Sequence, residues 1–371
     1  MLRQTREWVE INSYTENVAG VNAVGARLAA AFALPGLAHE ALPGPGHGDH
    51  HVWQTAAAGP RILLVGHHDT VFPPGHFEGW HEAGGRATGP GALDMKGGLA
   101  IVRAVLATLC DAGVLEELPL AVVSVSDEEI GSPTSRPHLE ALARGAACAL
   151  VFESGRVADA IVTRRRGTGV LRVRATGRAS HAGNAHAEGA NAIWALARFV
   201  DLAQQLTDYS RGVTVNVGTI TGGTSKNTVP AQADCAVDLR FESVDDAHTL
   251  LAAIRAAATE AVASVPHTSV VVEGGVSRLP MERTEGSAAL YREYAECQRA
   301  SGLGDAEAPL IGGGSDANTV SAVGVPAIDG LGPRGAGFHT PTEYVELASF
   351  VPKAQALLRF LWARLSSEGS P

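Results

Sequence analysis

The chain has 371 residues, of which 45% are hydrophobic and 18% are charged, a balance typical of a globular protein with a sizeable core. This length predicts about two domains, or one large domain that carries an insertion. The net charge of −10 argues against a general affinity for nucleic acid or for an anionic membrane, and no apolar run approaches the ~20 residues that span a bilayer.

The N-terminal part of the chain predicts a mostly parallel sheet. A helical region extends to about residue 32, and residues 43–51, rich in Gly, Pro and His, predict an exposed hairpin turn instead of a metal site. Strands at 61–65, 118–126 and 147–152 alternate with helices at 97–110 and 133–144. Apolar strands with helices between them are typical of a parallel sheet covered on both faces, which binds ligands at the carboxyl ends of its strands.

The pattern changes between residues 168 and 273. Strands at 170–175, 213–220, 232–241 and 269–273 and helices at 188–206 and 245–262 have the order β-α-β-β-α-β, which predicts an inserted ferredoxin-like α+β domain. Helices at 287–300 and 347–365 around a short strand at 325–329 follow. We therefore predict one domain formed by residues 1–167 and 274–371 and a second formed by residues 168–273.

The cysteines and the N-terminus indicate a cellular location. The cysteines are widely spaced and lie in or beside apolar runs, which predicts buried free thiols in a reducing compartment (Cys110, Cys148, Cys235 and Cys297). The N-terminal segment is charged and amphipathic and lacks the apolar core of a signal peptide. We therefore expect a cytoplasmic protein.

His67 and Asp69 lie two residues apart in Gly66-His-His-Asp-Thr-Val, at the end of a predicted strand. Side chains at i and i+2 of a strand share a face. A carboxylate beside an imidazole is the pair that holds a metal-binding histidine in one tautomer. A strand end with an incidental histidine is the alternative.

Three more carboxylates occupy comparable places. Asp94 lies in a glycine-rich loop at the start of a helix, where an N-cap is the commonest role. Glu128 and Glu129 follow the strand at 118–126 beside Asp127, and three adjacent acidic residues repel one another unless a cation compensates, an acidic surface turn being the alternative. Adjacent side chains point to different sides, so one Glu can bind metal while the other acts as general base.

Glu153 at another strand end and His339 far along the chain complete a candidate ligand set. A single glutamate or histidine in such a position more often has a structural role than a metal-binding one. Together with His67 and the carboxylates above they suit two Zn²⁺ ions roughly 3.5 to 4 Å apart, bridged by a carboxylate and a water.

These motifs, with Ala179-Ser-His-Ala-Gly between them, resemble the di-zinc hydrolase family that contains aminoacylases, acetylornithine deacetylase, succinyl-diaminopimelate desuccinylase and bacterial glutamate carboxypeptidases. The resemblance covers essentially the whole chain in the family's order. It implies a zinc-exopeptidase-like α/β domain with an inserted lid and dimerisation domain, and a homodimer formed through that insertion.

Carried over residue by residue, the resemblance implies two Zn²⁺ ions, with Co²⁺ or Mn²⁺ as alternatives. Asp94 would bridge the ions, His67 and Glu153 would bind one, and Glu129 and His339 would bind the other.

Two catalytic roles also follow from the resemblance. Asp69 would orient His67, and Glu128 would take a proton from the bridging water and later deliver it to the leaving nitrogen. A metal lowers the pKa of bound water towards 7, so a nearby glutamate can act at neutral pH.

In the inserted domain, His181 would polarise the scissile carbonyl, often from the partner subunit. Asn227 and Arg240 match substrate contacts, and Arg240 would bind a carboxylate with its planar fork, a surface salt bridge being the alternative. Gly313 and Gly314 match a turn that lines the substrate cleft, a flexible linker being the alternative.

Two features depart from the family pattern. His68 stands where an apolar residue is usual, and it points away from His67, so we expect it to pack or to support a ligand. Arg164, Arg165 and Arg166 predict a solvated basic turn.

The motif contexts look closest to the glutamate carboxypeptidase branch. We therefore expect a carboxypeptidase that releases a C-terminal amino acid, with glutamate as a candidate, from a small peptide. An N-acyl-L-amino acid amidohydrolase of the aminoacylase or deacetylase type is the alternative. A non-catalytic binding relative is a remote one, which the presence of Glu128 argues against, and a serine hydrolase lacks its G-x-S-x-G motif.

Overall fold

A computed structural model describes residues 1–367, and the chain divides into two compact units. The second unit comprises Arg165–Glu282 with Gly312–Gly314, and the first comprises the rest of the described chain. The insertion predicted at 168–273 lies inside the second unit, which extends further because its last strand continues to Arg278. Gly313 and Gly314, which the prediction assigned to the first domain, group with the second unit.

The strands of the described residues are β1 (Ala38–Leu42), β2 (His50–Gln54), β3 (Ile62–His67), β4 (His81–Ala83), β5 (Arg86–Thr88), β6 (Leu120–Val125), β7 (Cys148–Val151), β8 (Gly167–Thr176), β9 (Ser180–His181), β10 (Thr214–Gly222), β11 (Thr228–Val229), β12 (Gln232–Phe241), β13 (Ser269–Arg278), β14 (Ala327–Ile328), β15 (Gly335–Ala336) and β16 (Tyr344–Glu346).

The α-helices of the described residues are α1 (Leu2–Val9), α2 (Val18–Ala31), α3 (Gly97–Asp111), α4 (Arg136–Ala143), α5 (Ala192–Gln204), α6 (Val244–Ser264), α7 (Glu285–Arg299), α8 (Asp316–Ala322) and α9 (Phe350–Ser367). None of these helices is both long enough and apolar enough to cross a membrane.

The first unit is built on a six-stranded sheet with the order β1-β2-β6-β3-β7-β14. The four strands from β6 to β14 are parallel, and β1 and β2 extend one side antiparallel. Strands β3, β6 and β7 are buried along their whole length, as expected where helices cover both faces of a parallel sheet. The predicted mostly parallel α/β sheet is therefore confirmed.

Helix α3 shows how the first unit forms its core. The apolar positions that the sequence places three and four residues apart are all buried in it, namely Val102, Val105, Leu106 and Leu109. Burial of each such side chain contributes about 1.5–3 kcal/mol. Because α3 follows the Asp94 loop directly, the same burial fixes where that loop lies.

The second unit is a four-stranded antiparallel sheet with the order β10-β12-β8-β13, covered by α5 and α6. Strand β8 alternates strictly: Leu171, Val173 and Ala175 are buried, while Val170 and Arg172 are exposed. This is the pattern of a sheet with one face packed and one face open. The predicted ferredoxin-like βαββαβ unit is confirmed.

Two helix predictions differ from the structure in their boundaries. The N-terminal helical region is two helices, because the side chain of Asn17 accepts from the amide of Gly20 and starts α2 anew. Helix α4 begins at Arg136 instead of residue 133, because the amides of Thr134 and Ser135 donate to the Asp127 carboxylate.

The hairpin predicted at 43–51 is present, since β1 pairs antiparallel with β2, but its predicted exposure is wrong for Gly44, Gly48 and the last two residues. His50 is fully buried and His51 is 6% exposed. The reason is topological, because β2 lies between β1 and β6 inside the sheet.

Two surface and burial predictions are also corrected. Arg165 is 3% exposed, and its Nη1 donates to the carbonyl oxygen of Gly313 at 3.0 Å, so residues 164–166 are not simply a solvated turn. All four cysteines are free as predicted; Cys148 and Cys235 are buried, whereas Cys110 and Cys297 are only partly buried.

The carboxyl ends of three neighbouring parallel strands position the residues that the sequence singled out. His67 is the last residue of β3, Glu128 follows β6, and Glu153 follows β7. The order β6-β3-β7 places His67 between the two glutamates along this edge.

Gly98 in the first turn of α3 allows the helix to approach the end of β7. A Cβ atom on Gly98 would lie 2.2 Å from the carbonyl oxygen of Phe152, the residue before Glu153. Only glycine fits this contact without moving one of the two backbones.

We predict that Gly98→Ala lowers the free energy of unfolding by about 1–3 kcal/mol, because the added methyl overpacks a contact with backbone. The added methyl should also displace Phe152 and with it the adjacent Glu153, a proposed metal ligand, so metal binding should become weaker. Urea denaturation measures the first effect and metal titration the second. Gly275→Ala is the matched control, because no atom lies within 4 Å of its added Cβ. An unchanged urea midpoint for Gly98→Ala would contradict the prediction.

Candidate metal centre

His67 is held in one orientation by Asp69. Its Nδ1 lies 3.1 Å from the Asp69 carbonyl oxygen and 3.3 Å from the Asp69 carboxylate, both of which accept hydrogen bonds. The ring proton of the neutral imidazole therefore resides on Nδ1, and Nε2 has its lone pair available. That Nε2 lies 3.4 Å from Asp94 Oδ1 and 3.8 Å from Glu153 Oε1.

The Asp69 carboxylate also fixes the turn that carries both glutamates. It is fully buried and accepts from the backbone amides of Glu128 and Glu129, each at 3.2 Å, and from the Thr15 hydroxyl at 2.8 Å. One side chain thus connects the end of β3 to the short 3-10 turn Glu128–Ile130.

Asp94 lies in a turn that is supported by Glu343, a residue that the sequence analysis missed. The Glu343 carboxylate is buried and accepts from the amides of Leu93 at 2.8 Å and Asp94 at 3.1 Å. Burial raises the pKa of Glu343 to about 8. The sequence places Glu343 four residues after His339, and this closeness to a candidate ligand is the feature that could have identified it.

His339 completes the second side of the cluster. Its backbone has a φ of 62°, which is uncommon for a residue other than glycine. Its Nε2 lies 3.1 Å from Glu129 Oε2 and 3.5 Å from Asp94 Oδ2, and its side chain is half exposed. Asp94 therefore faces His67 with one carboxylate oxygen and His339 with the other.

The side chains form two groups that could each hold a metal ion. In each group the ligand atoms lie within 4.8 Å of one another; the first group is His67, Glu128 and Glu153, and the second is Asp94, Glu129 and His339. His67 Nε2 and Asp94 Oδ1 are buried without a hydrogen-bond partner, which is costly unless something else binds them. Imidazole nitrogen and carboxylate oxygen suit Zn²⁺, so these residues fit a metal pair.

Several side chains of the cluster have pKa values far from their ordinary ones. Burial raises the pKa of Glu153 to about 8, and the charge of Asp94 adds to this. Hydrogen bonds to Asp94 and Glu129 raise the pKa of His339 to about 10. Burial opposes ionisation of Asp94, yet its contacts with His339 and His67 hold its pKa well below its usual range. The cluster therefore retains protons that a binding cation must displace.

Two further residues lie beside the cluster. Lys96 is fully buried and donates to the Ile11 carbonyl oxygen at 3.2 Å, and burial lowers its pKa to about 7. His68 is also fully buried, with its Nδ1 3.0 Å from the Ser124 hydroxyl. His68 thus packs beneath the sheet edge, in line with its predicted non-ligand position.

The predicted substrate contacts belong to the second unit. His181 and Asn227 are brought together there, because β9 pairs with β11 and the amide of Ala182 donates to the Asn227 carbonyl oxygen at 2.9 Å. His181 is exposed, and its Nδ1 accepts from the amides of Gly183 and Asn184, both at 3.1 Å. Its Nε2 therefore carries the proton and can donate it.

Arg240 is engaged within its own strand. Its Nε and Nη2 donate to the two oxygens of Asp238 at 2.9 and 2.8 Å. Two of the three nitrogens of the guanidinium, Nε and Nη2, are therefore paired with a carboxylate of the protein.

Known proteins resemble this chain along most of its length. The sequence profile of Peptidase family M20/M25/M40 matches residues 63–363. Carboxypeptidase G2 from Pseudomonas sp. (strain RS-16) is 30% identical over 297 residues, which cover 78% of this chain and 71% of that protein. Succinyl-diaminopimelate desuccinylase from Methylobacterium nodulans is 31% identical over 219 residues, covering 53% of this chain and 55% of that protein.

A solved structure shares the fold. The crystal structure of a tripeptidase from Staphylococcus aureus superposes with a TM-score of 0.77 at 21% identity, and the alignment covers 98% of each chain. This likeness extends to the α/β sheet and to the inserted unit. The chain therefore belongs to peptidase family M20/M25/M40 and is a metal-dependent hydrolase.

Proposed function

We propose that this protein is a di-zinc carboxypeptidase that hydrolyses the amide bond before a free C-terminal amino acid in a small peptide. The observation that carries the proposal is the position of Glu128, whose carboxylate belongs to the same group as His67 and Glu153. The choice of a carboxypeptidase is supported by the 30% identity to carboxypeptidase G2 over 78% of this chain. Glutamate is the first C-terminal residue to test.

The metal pair would be held by the five predicted ligands. Asp94 would bridge, with His67 and Glu153 on one side and Glu129 and His339 on the other, an arrangement supported by the contacts of the two Asp94 oxygens. When bound, the two cations supply Lewis acidity, which polarises the amide carbonyl and lets water lose a proton near neutral pH.

The chain's own side chains then move the protons. The Glu128 carboxylate accepts the proton from water as the carbonyl is attacked, and it returns that proton to the amide nitrogen as the C–N bond breaks. Asp69 keeps Glu128 and His67 in place. His181 donates a hydrogen bond from Nε2 to the carbonyl oxygen, which becomes more negative in the transition state.

Substrate orientation requires a cation for the free carboxylate. We propose Arg240 for this role, with Asp238 holding the guanidinium plane and Nη1 directed to the substrate. Asn227, Gly313 and Gly314 would contribute hydrogen bonds in the same cleft.

The alternative is hydrolysis of an N-acyl-L-amino acid. It is supported by the similarity to succinyl-diaminopimelate desuccinylase and to acetylornithine deacetylase from Myxococcus xanthus, which is 31% identical over 48% of this chain. Both candidate reactions cleave an amide next to a free carboxylate, so the same residues would serve either.

We further propose a cytoplasmic homodimer formed through the second unit. Exposed apolar side chains on α5 and on the edge strand β10 support this assembly, since Trp194 is 55% exposed and Ile220 is 56% exposed.

The mechanism predicts that Glu128→Gln lowers kcat by about 10²–10⁴-fold, because the side-chain amide of glutamine cannot accept the proton from water. Two metal ions should still bind, since Glu128 is not one of the proposed ligands. Hydrolysis of a panel of C-terminal-glutamate dipeptides and N-acyl amino acids by the metal-loaded enzyme measures the effect.

Glu116→Gln is the matched control, since Glu116 is an exposed residue in the turn before β6, and it should retain full activity. The preferred substrate of the wild type decides between the two candidate reactions. A Glu128→Gln variant as active as wild type would overturn the proposed base, and a wild type with two bound metals but no turnover would overturn the function.

Metal binding should become tighter as the pH rises. Glu153 has a pKa of about 8 and His339 of about 10, and the pKa of His67 is raised well above its ordinary value, so all three hold protons at pH 7 that they must lose to bind a cation. We expect on the order of three protons released at pH 7, measured by calorimetry in buffers of different ionisation enthalpy. His339→Gln should release fewer protons, and an apparent affinity that is independent of pH between 6 and 8 would contradict this assignment.

The dimer proposal predicts that Trp194→Glu produces a monomer, because a charge would be buried without a partner. Sedimentation equilibrium measures the mass. Trp362→Glu in α9 is the matched control, since Trp362 is 48% exposed but lies in the first unit. A dimeric Trp194→Glu variant would place the interface elsewhere.

A further inference from the structure

His50 is a buried histidine that the proposed mechanism does not use. It lies in β2, is fully buried, and contacts residues on either side of the loop that carries Glu128. Its Nδ1 accepts from the backbone amide of Ser126 at 3.2 Å, and its Nε2 lies 3.1 Å from the Thr134 hydroxyl.

The hydrogen bonds assign the proton of the His50 ring. The Thr134 hydroxyl donates its only proton to Asp127 Oδ2 at 2.6 Å, so the oxygen must accept from His50. The proton therefore lies on Nε2, and Nδ1 has the lone pair that the Ser126 amide requires. Burial lowers the pKa of His50 and favours this neutral ring.

Ser126 and Thr134 are the two ends of one loop. Asp127 closes the loop, because its carboxylate accepts from the amide of Thr134 at 2.7 Å and from the hydroxyl of Ser135 at 2.5 Å. Glu128 and the ligand Glu129 lie inside the loop, where Asp69 holds their amides. The imidazole of His50 thus connects the two ends of the loop.

We propose that His50 is a positioning residue for the proposed reaction: its neutral imidazole bridges Ser126 and Thr134 and thereby fixes the orientation of Glu128 and Glu129. This inference rests on the proposed function for its effect on turnover. Its effect on metal binding is independent of the substrate, because Glu129 is a ligand in the same loop.

The test compares His50→Leu, which removes both hydrogen bonds, with two further variants. His50→Gln replaces Nε2 with an amide and loses the Ser126 contact, and Thr134→Val removes the hydroxyl while keeping its shape. His47→Gln in the turn between β1 and β2 is the control. Each protein is titrated with Co²⁺ by absorption spectroscopy and assayed for kcat and KM on the best substrate of the panel.

We expect His50→Leu and Thr134→Val to lower kcat by about 10–100-fold and to weaken binding of one of two Co²⁺ ions by a similar factor, the usual cost of removing support behind ligands. KM should stay within twofold, and His50→Gln should lie between these variants and wild type. A residue that served stability alone would lower the melting temperature and leave kcat and Co²⁺ affinity unchanged, which would overturn the proposal.

The two hypotheses fail in different ways. If wild type binds two Co²⁺ ions but hydrolyses no member of the panel, the proposed function is wrong, and the Co²⁺ affinities still decide the role of His50. If His50→Leu does not fold, Thr134→Val and His50→Gln provide the same comparison, and wild-type affinity and kcat in both would overturn the inference.

Discussion

The buried carboxylate of Asp69 is the constraint on which the metal centre depends. It holds the Nδ1 side of His67 and binds the amides of Glu128 and Glu129, so it joins the ends of β3 and β6 at a single side chain. Removal of this carboxylate would leave buried amides without partners, which costs about 1–3 kcal/mol for each. The tautomer of the proposed ligand His67 and the position of the proposed base are therefore set by the same group.

The other supports of the site follow the same physical principle. Glu343 accepts from the amides around Asp94, and Asp127 accepts from the amides that precede α4. In each case a buried carboxylate satisfies backbone donors that a sharp turn leaves without helix or sheet partners. These hydrogen bonds fix the turns that carry Asp94, Glu128 and Glu129 through contacts within the protein, the kind of support that a preorganised metal site requires.

Sequence reasoning predicted the two-unit α/β architecture because apolar periodicity and element order determine it, as α3 and the alternating strand β8 illustrate. Sequence reasoning did not predict the burial of residues whose neighbours in space come from distant parts of the chain. His50 and His51 look like part of a polar turn, yet β6 and β1 flank them in the sheet. Arg165 looks solvated within a run of arginines, but its guanidinium binds the distant Gly313 carbonyl.

The sequence by itself predicted the residue types of the candidate metal site and their order, with His67, Glu128 and Glu153 at strand ends, because each lies within a short motif whose chemistry is local. Only the tertiary structure decided which oxygen of Asp94 faces which histidine, that Glu343 and Lys96 are buried beside the cluster, and that Arg240 is paired with Asp238. These contacts join residues that are far apart in the chain or depend on side-chain rotamers. No local pattern specifies them, because hydrogen-bond geometry and burial arise only when the packed strands and loops meet.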